Sequence, residues 1–207
     1  FSVARGHYEG YKKIIKFGHW CQEKGVKILT TFGFSSENWL RTKKEVSSLM
    51  QLLEMGLSDP KNIEDFQKNE ARVKIIGQKE KLPKSLQNAI SKIEKLTERN
   101  KKIRLNLAVS YGGKWDIVQA LQQIIRKKIP FSKINENLIE KYLTTAGLPD
   151  PDLIIRAGGE RRLSNFVLWQ ASYSELYFID KLWPDFSKKD LDRTIKEYQL
   201  RSRRFGK

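Results

Sequence analysis

The sequence predicts an α/β fold, built as a single domain with a mainly parallel central sheet covered by helices. Short apolar runs rich in β-branched residues recur along the 207-residue chain, and amphipathic stretches with helical spacing lie between them. Alternation of this kind is typical of parallel sheets whose strands are joined through helices. No repeat, low-complexity tract or linker interrupts the pattern, so we expect one domain over residues 1–207.

The predicted elements follow from the periodicity of the apolar residues. The segments with the composition of short buried strands are Lys27–Phe34, Arg72–Gly77, Ile103–Ser110, Asp152–Arg156 and Glu175–Ile179. The segments with helical spacing are Gly10–Lys24, Val46–Leu57, Leu82–Leu96, Trp115–Lys127, Asn135–Thr145 and Lys188–Arg203. A further helix is expected to begin at Phe166 and to reach Ser172. The wide apolar stripes of Val46–Leu57 and Leu82–Leu96 indicate core packing, and the alternative is that they line a hydrophobic tunnel between helices and sheet.

A net charge of +16 indicates an anionic partner or environment. The charge alone leaves nucleic acid, an anionic membrane surface and polyphosphate substrates open. Cys21 is the single cysteine, which excludes an intramolecular disulfide, offers no metal-ligand spacing and favours a reducing compartment. The sequence shows no signal peptide and no apolar run near the roughly 18 residues of a membrane-spanning helix. We therefore expect a cytoplasmic protein, which its charge could bring to a membrane surface.

Polar and aromatic residues are concentrated where three of the predicted strands end. The segments are Phe34–Arg41, Ser110–Asp116 and Arg156–Asn165. In open α/β sheets, ligands bind beyond the carboxyl ends of the strands. The three segments therefore predict a shared active cleft.

The segment after the fourth predicted strand has the composition of an anion-binding turn. Gly158 and Gly159 allow a tight turn and close approach of a ligand to the backbone. The guanidinium groups, whose planar donor forks suit phosphate oxygens, belong to Arg156, Arg161 and Arg162. Ser164 and Asn165 could cap the helix expected at Phe166–Ser172 and leave its first N–H groups to an anion. A phosphate or diphosphate site is favoured over the alternative, a glycine turn with solvated arginines.

The segment after the first predicted strand offers groups that could orient a substrate. Its polar and aromatic residues are Ser35, Ser36, Glu37, Asn38, Trp39 and Arg41. Hydroxyl and amide groups could position a substrate or a metal-bound water, the arginine could hold a phosphate, and the indole could lie over an apolar or cationic group. The alternative is that the same segment caps a helix beginning near Lys43, with Glu45 in its first turn. Both interpretations remain open.

Other candidates are less specific. Tyr111–Asp116 lacks the spacing of a P-loop or a dinucleotide-binding turn, which favours a structural strand-to-helix turn. His7 could bind phosphate or handle a proton near neutral pH, or be an ordinary residue at a helix start, whereas His19 is interpreted as structural. Glu175 either pairs with the arginines of the turn or takes Mg²⁺ together with a diphosphate.

Taken together, five ordered motifs resemble those of the cis-prenyltransferases, the family best known for undecaprenyl diphosphate synthases. They are Gly6–Gly10 (Gly-His-Tyr-Glu-Gly), Phe34–Trp39 (Phe-Ser-Ser-Glu-Asn-Trp), Ser110–Ile117, Arg156–Phe166 and Leu182–Phe186 (Leu-Trp-Pro-Asp-Phe). The tail, Arg201–Gly206, is also similar to that of the family. The resemblance covers nearly the whole chain.

This resemblance implies a homodimeric, Mg²⁺-dependent enzyme that adds isopentenyl diphosphate to an allylic diphosphate, such as farnesyl diphosphate, with cis double bonds. It implies that Asn38 assists proton removal, that Glu175 helps to bind Mg²⁺ and that Gly206 reaches the partner's site. His7 would contact the allylic diphosphate. The residues implied to hold the diphosphate of isopentenyl diphosphate are Arg156, Arg162 and Ser164. The remaining substrate-binding candidates are Arg5, Ser35, Ser36, Glu37, Trp39, Arg41 and Leu163.

Two departures from the family pattern affect what we expect. The family begins with a strand and an Asp-Gly-Asn phosphate loop, and this chain begins at Phe1 without them, so we expect the chain as it stands to be inactive or badly impaired. The family's arginine four residues before the histidine is Val3 here, with Arg5 two positions on. The rival functions are a non-catalytic scaffold subunit of a heteromeric prenyltransferase and, more distantly, a basic nucleic-acid-binding protein.

Overall fold

The computed structural model describes residues 3–201, with side chains from residue 5 onward. The helices of this part of the chain are α1 (Val3–Glu23), α2 (Lys43–Ser58), α3 (Pro60–Lys68), α4 (Lys84–Leu96), α5 (Gly113–Arg126), α6 (Glu136–Glu140) and α7 (Lys188–Leu200). The strands are β1 (Ile28–Ser35), β2 (Ala71–Ile76), β3 (Ile103–Tyr111), β4 (Leu153–Ala157) and β5 (Glu175–Ile179). Short 3₁₀ helices lie at Ser36–Leu40, Lys79–Lys81, Phe131–Lys133 and Trp183–Asp185. The predicted α/β class is confirmed.

The strands pair in two parallel sheets, one in each of two compact units that divide after Tyr111. The first unit holds three strands in the order β1–β3–β2, and the second pairs β4 with β5. All five predicted strands therefore form, although they do not belong to one hydrogen-bonded sheet. The expectation of a single domain stays a prediction.

In the first unit, the carboxyl ends of β1 and β3 lie side by side, since Ser35 is the register partner of Tyr111. At the neighbouring end of β2, Gly77 has a φ of +121°, and a Cβ there would lie 2.0 Å from the carbonyl oxygen of Val109. Only glycine fits this close approach of two backbones. The three strands consequently present their carboxyl ends along one edge, the edge at which a ligand is expected.

The two striped helices pack into the core of the first unit. α2 and α4 contact each other, and α4 also contacts β2. The buried cluster that they share comprises Phe34, Leu49, Met50, Leu57, Val73, Ile75, Leu82, Leu86, Ile90, Ile93 and Val109. Core packing therefore accounts for these apolar residues, and the hydrophobic tunnel stays a prediction.

The helix α3 was not predicted, although its start carries a clear signal. Asp59 caps it by accepting a hydrogen bond from the Lys61 N–H at 2.9 Å, and Pro60 occupies its first position. Aspartate followed by proline is a typical helix start, because proline's missing N–H would have no partner there. In α1, His19 Nε2 lies 2.7 Å from Asp65 Oδ2 on α3, which gives this histidine a structural contact, as the sequence indicates.

In the second unit, α5 packs against α6. Asp116, in the first turn of α5, is buried and accepts hydrogen bonds from the backbone N–H and the hydroxyl of Thr144, both at 2.9 Å. The helix predicted over Asn135–Thr145 is shorter than expected and ends at Glu140. Asn135 caps its start, because its side-chain oxygen accepts a hydrogen bond from the Leu138 N–H. The turn at Tyr111–Asp116 has the structural role that its spacing favours.

The helix predicted over Phe166–Ser172 does not form, and the capping role assigned to Ser164 and Asn165 is wrong. Ser164, Asn165 and Val167 have φ angles of +49°, +64° and +36°, which interrupt any right-handed helix. Asn165 instead binds the start of α5: its Oδ1 accepts from the Lys114 N–H at 2.9 Å, and its carbonyl accepts from the Gly113 N–H at 2.6 Å. The helix start in this region is therefore that of α5.

The last helix, α7, ends at Leu200, before the predicted end at Arg203. Ser187 and Asp190 cap its start reciprocally. Residues beyond 201, including Gly206, lie outside the described part of the chain.

Candidate active site

Asn38 holds the turn that follows β1. It lies half-buried in the 3₁₀ helix Ser36–Leu40, and its Oδ1 accepts a hydrogen bond from the Ser35 N–H at 2.9 Å. Its amide nitrogen has no hydrogen-bond partner among residues 3–201. One end of the side chain thus fixes the turn, and the two N–H donors of the other end are unpaired within residues 3–201.

Trp39 connects the ends of β1 and β3. Its indole N–H donates to the hydroxyl of Ser110 at 2.8 Å, and its ring meets that of Phe34 edge-on, with 5.0 Å between centroids. Ser110 is fully buried and has a φ of +51°. Two of the three predicted strand exits are therefore joined, although the contact of Trp39 with a substrate stays a prediction.

Glu45 brings together two predicted site residues from different elements. Its Oε1 accepts from Arg41 at 2.6 Å and lies 3.3 Å from His7 Nε2 on α1. Partial burial raises the pKa of Glu45, but the hydrogen bonds and positive charges of Arg41 and His7 outweigh it, and the net effect is a lowered pKa. The carboxylate stays charged and holds Arg41 and His7 in place.

From the sequence, Glu45 is expected only in the first turn of α2. The missed signal is the short separation between Arg41 and Glu45, which lie four residues apart on either side of Thr42, the N-cap of α2. The alternative that Ser35–Asn38 caps α2 is wrong, because Thr42 does so: its hydroxyl accepts from the Glu45 N–H at 3.3 Å.

The other candidates of the first unit are Arg5, Ser36 and Glu37. The hydroxyl of Ser36 donates to the carboxylate of Glu37 at 3.0 Å, so these two residues contact each other. Arg5 is exposed in the first turns of α1, two residues before His7. The structure brings His7 and Arg41 together through Glu45 and leaves the roles of Arg5, Ser36 and Glu37 as predictions.

In the second unit, the end of β5 holds the arginine-bearing turn after β4. The Gly158 N–H donates to the carbonyl of Lys181 at 2.8 Å, and the Gly159 N–H donates to that of Ile179 at 3.0 Å. Both glycines have positive φ, +99° and +76°, which other residues rarely adopt. The predicted tight turn is confirmed at this point.

Arg156 and Ser164 meet across this turn. The Arg156 guanidinium donates to the hydroxyl of Ser164 at 2.8 Å and to the carbonyl of Arg162. The Arg162 guanidinium is largely exposed and pairs with the carboxylate of Glu160. Leu163, between Arg162 and Ser164 in the chain, is half-buried. The turn thus holds one arginine in place and a second on an exposed carboxylate, an anion that a phosphate could replace.

Glu175 lies at the opposite end of the two-stranded sheet from this turn. It begins β5 and pairs in register with Leu153, three residues before Arg156, a separation of about 10 Å along the strand. Its carboxylate accepts from the Arg201 guanidinium at 2.6 Å. The alternative that Glu175 pairs with the arginines of the turn is therefore wrong, and Arg201 is the partner.

Among residues 3–201, no group of three or more His, Cys, Asp and Glu side chains could hold a metal ion. Mg²⁺ bound with a diphosphate needs only one or two carboxylates, because phosphate oxygens and water supply the other ligands. Glu175 fits that requirement as a single carboxylate, with Arg201 as its competitor.

Comparison with known proteins decides the family. The model of the family described as "Putative undecaprenyl diphosphate synthase" matches residues 2–206. This chain belongs to the undecaprenyl diphosphate synthase family. The resemblance to the cis-prenyltransferases is confirmed, and so is the prediction of a prenyl-transferring enzyme over the scaffold and nucleic-acid alternatives.

Individual members of the undecaprenyl diphosphate synthase family are similar over most of their length. The tritrans,polycis-undecaprenyl-diphosphate synthase (geranylgeranyl-diphosphate specific) of Pyrococcus abyssi is 44% identical over 206 residues, 98% of this chain and 78% of that protein. The ditrans,polycis-undecaprenyl-diphosphate synthase ((2E,6E)-farnesyl-diphosphate specific) of Haemophilus influenzae is 43% identical over 97% of this chain and 85% of that protein.

A solved structure shares the fold closely. Lavandulyl diphosphate synthase from Lavandula x intermedia, in complex with dimethylallyl diphosphate, superposes with a TM-score of 0.93 at 37% identity, over 100% of this chain and 90% of that one. Within residues 3–201, no helix has the length and apolarity needed to cross a bilayer.

Proposed function

We propose that this protein condenses isopentenyl diphosphate units with an allylic diphosphate and forms a cis double bond at each addition. The allylic carbon–oxygen bond breaks with release of diphosphate, a carbon–carbon bond forms, and isopentenyl diphosphate loses a proton. The observation that carries the proposal is the joining of Arg156 to Ser164 across a glycine turn, beside an exposed Arg162, in a member of this family.

The arginine turn would bind the diphosphate of isopentenyl diphosphate. Arg156 is already oriented by Ser164, so little side-chain freedom remains to be lost on binding. Arg162 would exchange the carboxylate of Glu160 for a phosphate oxygen. Guanidinium groups suit both roles, since their paired N–H donors match phosphate geometry.

Asn38 would act beside the reacting carbons. Its oxygen is used by Ser35, and its two amide N–H donors are directed to a ligand in this proposal. An amide is not a base at neutral pH, so its role is to position the group that accepts the proton. Trp39 would support the turn from behind through Ser110.

His7 and Arg41 would bind the allylic diphosphate. Glu45 holds both on one carboxylate oxygen, which leaves the remaining guanidinium donors of Arg41 for phosphate. Positive charge placed where the diphosphate departs lowers the barrier to ionisation. Arg5, Ser35, Ser36, Glu37 and Leu163 are proposed as further substrate contacts.

Magnesium would be held by Glu175 with diphosphate oxygens, and when bound it neutralises charge on the leaving diphosphate. The growing chain would lie along the apolar helices α2 and α4, each buried CH₂ contributing about 0.8 kcal/mol. Relatives of nearly equal identity are named for different primers, farnesyl and geranylgeranyl diphosphate. Farnesyl diphosphate is our proposed primer, and the experiment below compares the two.

We also propose a cytoplasmic homodimer in which Gly206 reaches the partner's site. The dimer is supported by the resemblance and would sediment at twice the mass of one chain. Because the family resemblance implies an Asp-Gly-Asn phosphate loop, the assays below use a protein that carries this loop.

The proposed reaction is tested with radiolabelled isopentenyl diphosphate, either primer, and Mg²⁺ or a chelator. We expect Mg²⁺-dependent extension and a chromatographic ladder of products. Arg156→Ala and Arg162→Ala should each raise the KM for isopentenyl diphosphate at least tenfold, the loss expected for a charge-assisted hydrogen bond. Arg99→Ala, on an exposed arginine after α4, is the matched control and should leave kinetics unchanged. Absence of extension by a folded dimer would indicate the scaffold subunit instead.

A further inference from the structure

The end of α5 and the turn that follows form an exposed basic surface, here called the basic turn, at residues 125–133. Its cations are Arg126, Lys127, Lys128 and Lys133, and it contains no aspartate or glutamate. All four are exposed. None has an acidic partner among residues 3–201, although the Lys127 ammonium lies 4.8 Å from the centre of the Tyr142 ring.

The basic turn also exposes large apolar side chains. Phe131 is 90% exposed and Ile125 is 69% exposed. Isolated exposed apolar residues are common on protein surfaces, but a nearly fully exposed phenylalanine flanked by cations is a combination typical of interfacial membrane anchors. Phenylalanine favours the boundary between headgroups and acyl chains, and lysine favours anionic headgroups.

The backbone holds this arrangement firmly. Lys128 has a φ of +53°. Its N–H donates to the carbonyl of Ile125 at 2.9 Å, and the Ile129 N–H donates to the carbonyl of Ile124 at 3.3 Å. These are the two hydrogen bonds of a Schellman helix end. Pro130 then leads into the 3₁₀ helix Phe131–Lys133. The aromatic ring is therefore presented from a defined turn.

Helix electrostatics explain only part of the composition. Cations near the carboxyl end of a helix are stabilised by its dipole, which accounts for Arg126, Lys127 and Lys128. The dipole does not account for Lys133, beyond the last helical turn, or for the exposure of Phe131. An anionic partner with an apolar layer beneath its charges accounts for both.

We propose that the basic turn docks this protein on anionic lipid surfaces, with Phe131 inserted at the interface and the cations on the headgroups. The commitment to lipid rests on charge complementarity and on the pairing of cations with an exposed apolar tip. The proposal goes beyond the enzymatic one and does not depend on it, because vesicle binding is measured without substrate.

Co-sedimentation of the protein with vesicles tests this proposal. Vesicles of phosphatidylcholine alone are compared with vesicles that contain phosphatidylglycerol, at low and high salt. We expect binding that requires phosphatidylglycerol and weakens with salt. Phe131→Ser, and the double variant Lys128→Gly with Lys133→Gln, should each weaken binding about tenfold, whereas Phe131→Trp should retain it.

The matched control removes two charges elsewhere: Lys92→Gln with Lys95→Gln, on exposed positions of α4, should retain binding. The proposal is overturned if the control variant loses vesicle binding to the same extent, or if neither basic-turn variant weakens vesicle binding. Conversion of a dimer to a monomer by Phe131→Ser would assign the surface to a second copy of this chain. A salt-sensitive complex with an oligonucleotide that needs the same residues, without vesicle binding, would assign it to nucleic acid.

Discussion

At the scale of single residues, the two ends of the Asn38 amide have separable roles. The side-chain oxygen accepts a hydrogen bond from the Ser35 N–H and fixes the turn. The side-chain nitrogen has no hydrogen-bond partner within residues 3–201, which leaves its two N–H donors to a ligand. A substitution that keeps the oxygen and removes the donors therefore distinguishes folding from catalysis.

We expect Asn38→Ala to lower kcat about a hundredfold or more and to cost about 1 kcal/mol of stability, the amount expected for a lost turn-closing hydrogen bond. Asn38→Asp should restore the melting temperature, because its carboxylate can accept from Ser35, but not kcat. Recovery of full activity in Asn38→Asp would contradict a donor role for the amide. Thermal unfolding and initial rates provide the two measurements.

Glu45 is expected to act on substrate binding through Arg41 and His7. Glu45→Gln should raise the KM for the allylic diphosphate about fivefold with kcat nearly unchanged, because a neutral amide orients Arg41 and His7 less strongly than a carboxylate does. The pKa of Glu45 is lowered, so its charge persists above the ordinary glutamate value of about 4.3 and is lost as pH falls through its lower folded value. The KM values of Glu45→Gln and of the wild-type protein should converge in acid. A ratio of these two KM values that does not change with pH would show that the charge of Glu45 is not responsible for the difference.

At the scale of elements, the end of α5 is strained at Lys128. A non-glycine residue with φ of +53° costs about 1 kcal/mol, and Lys128→Gly should recover it. The expected rise in melting temperature is roughly 2–4 °C for a chain of this size. Lys127→Gly is the control: its φ is −80°, so the substitution should stabilise nothing. Equal rises for both variants would show that charge removal, not backbone strain, is responsible.

Elements with strong local patterns were predictable from the sequence. The strands β1 to β5 lie within about two residues of their predicted bounds, because apolar β-branched runs need only local information. Helix α3 also had a local signal, Asp59 followed by Pro60, but its apolar pattern is sparse. The helix expected at Phe166–Ser172 failed because Asn165 contacts the start of α5, which is distant in sequence.

In the candidate site too, local features were predictable from the sequence and contacts between distant residues were not. The glycine turn and its arginines are contiguous, and their composition sufficed to predict the tight turn, whereas anion binding by the turn stays a prediction. The partners of Trp39 and Glu175 lie 71 and 26 residues away, at Ser110 and Arg201. No local spacing encodes such pairs, because they depend on strand register and on where the last helix ends.

At the scale of the whole molecule, acid sensitivity should depend on Asp190. This carboxylate is buried at the start of α7, and hydrogen bonds from Ser187 and Lys181, with the lysine's charge, lower its pKa strongly. A lowered pKa stabilises the fold above the ordinary aspartate value, about pH 3.9, and that stabilisation is lost as pH falls through the folded value.

Asp190→Asn should therefore lower the free energy of unfolding by about 2 kcal/mol at neutral pH, the value typical of hydrogen bonds to a charged group. The difference from wild type should shrink steadily below about pH 4. Urea unfolding at several pH values measures it. A difference that stays constant down to pH 2 would mean that packing, and not charge, is lost.

The activity of the whole protein is the joining of isopentenyl units with cis geometry. The most direct measurement is the configuration of the double bonds in the product, by ¹³C NMR after extension of farnesyl diphosphate with labelled isopentenyl diphosphate. We predict that every newly formed double bond is cis. New trans double bonds, or a folded and substrate-bound protein that forms no product, would show that this protein is not a cis-prenyltransferase.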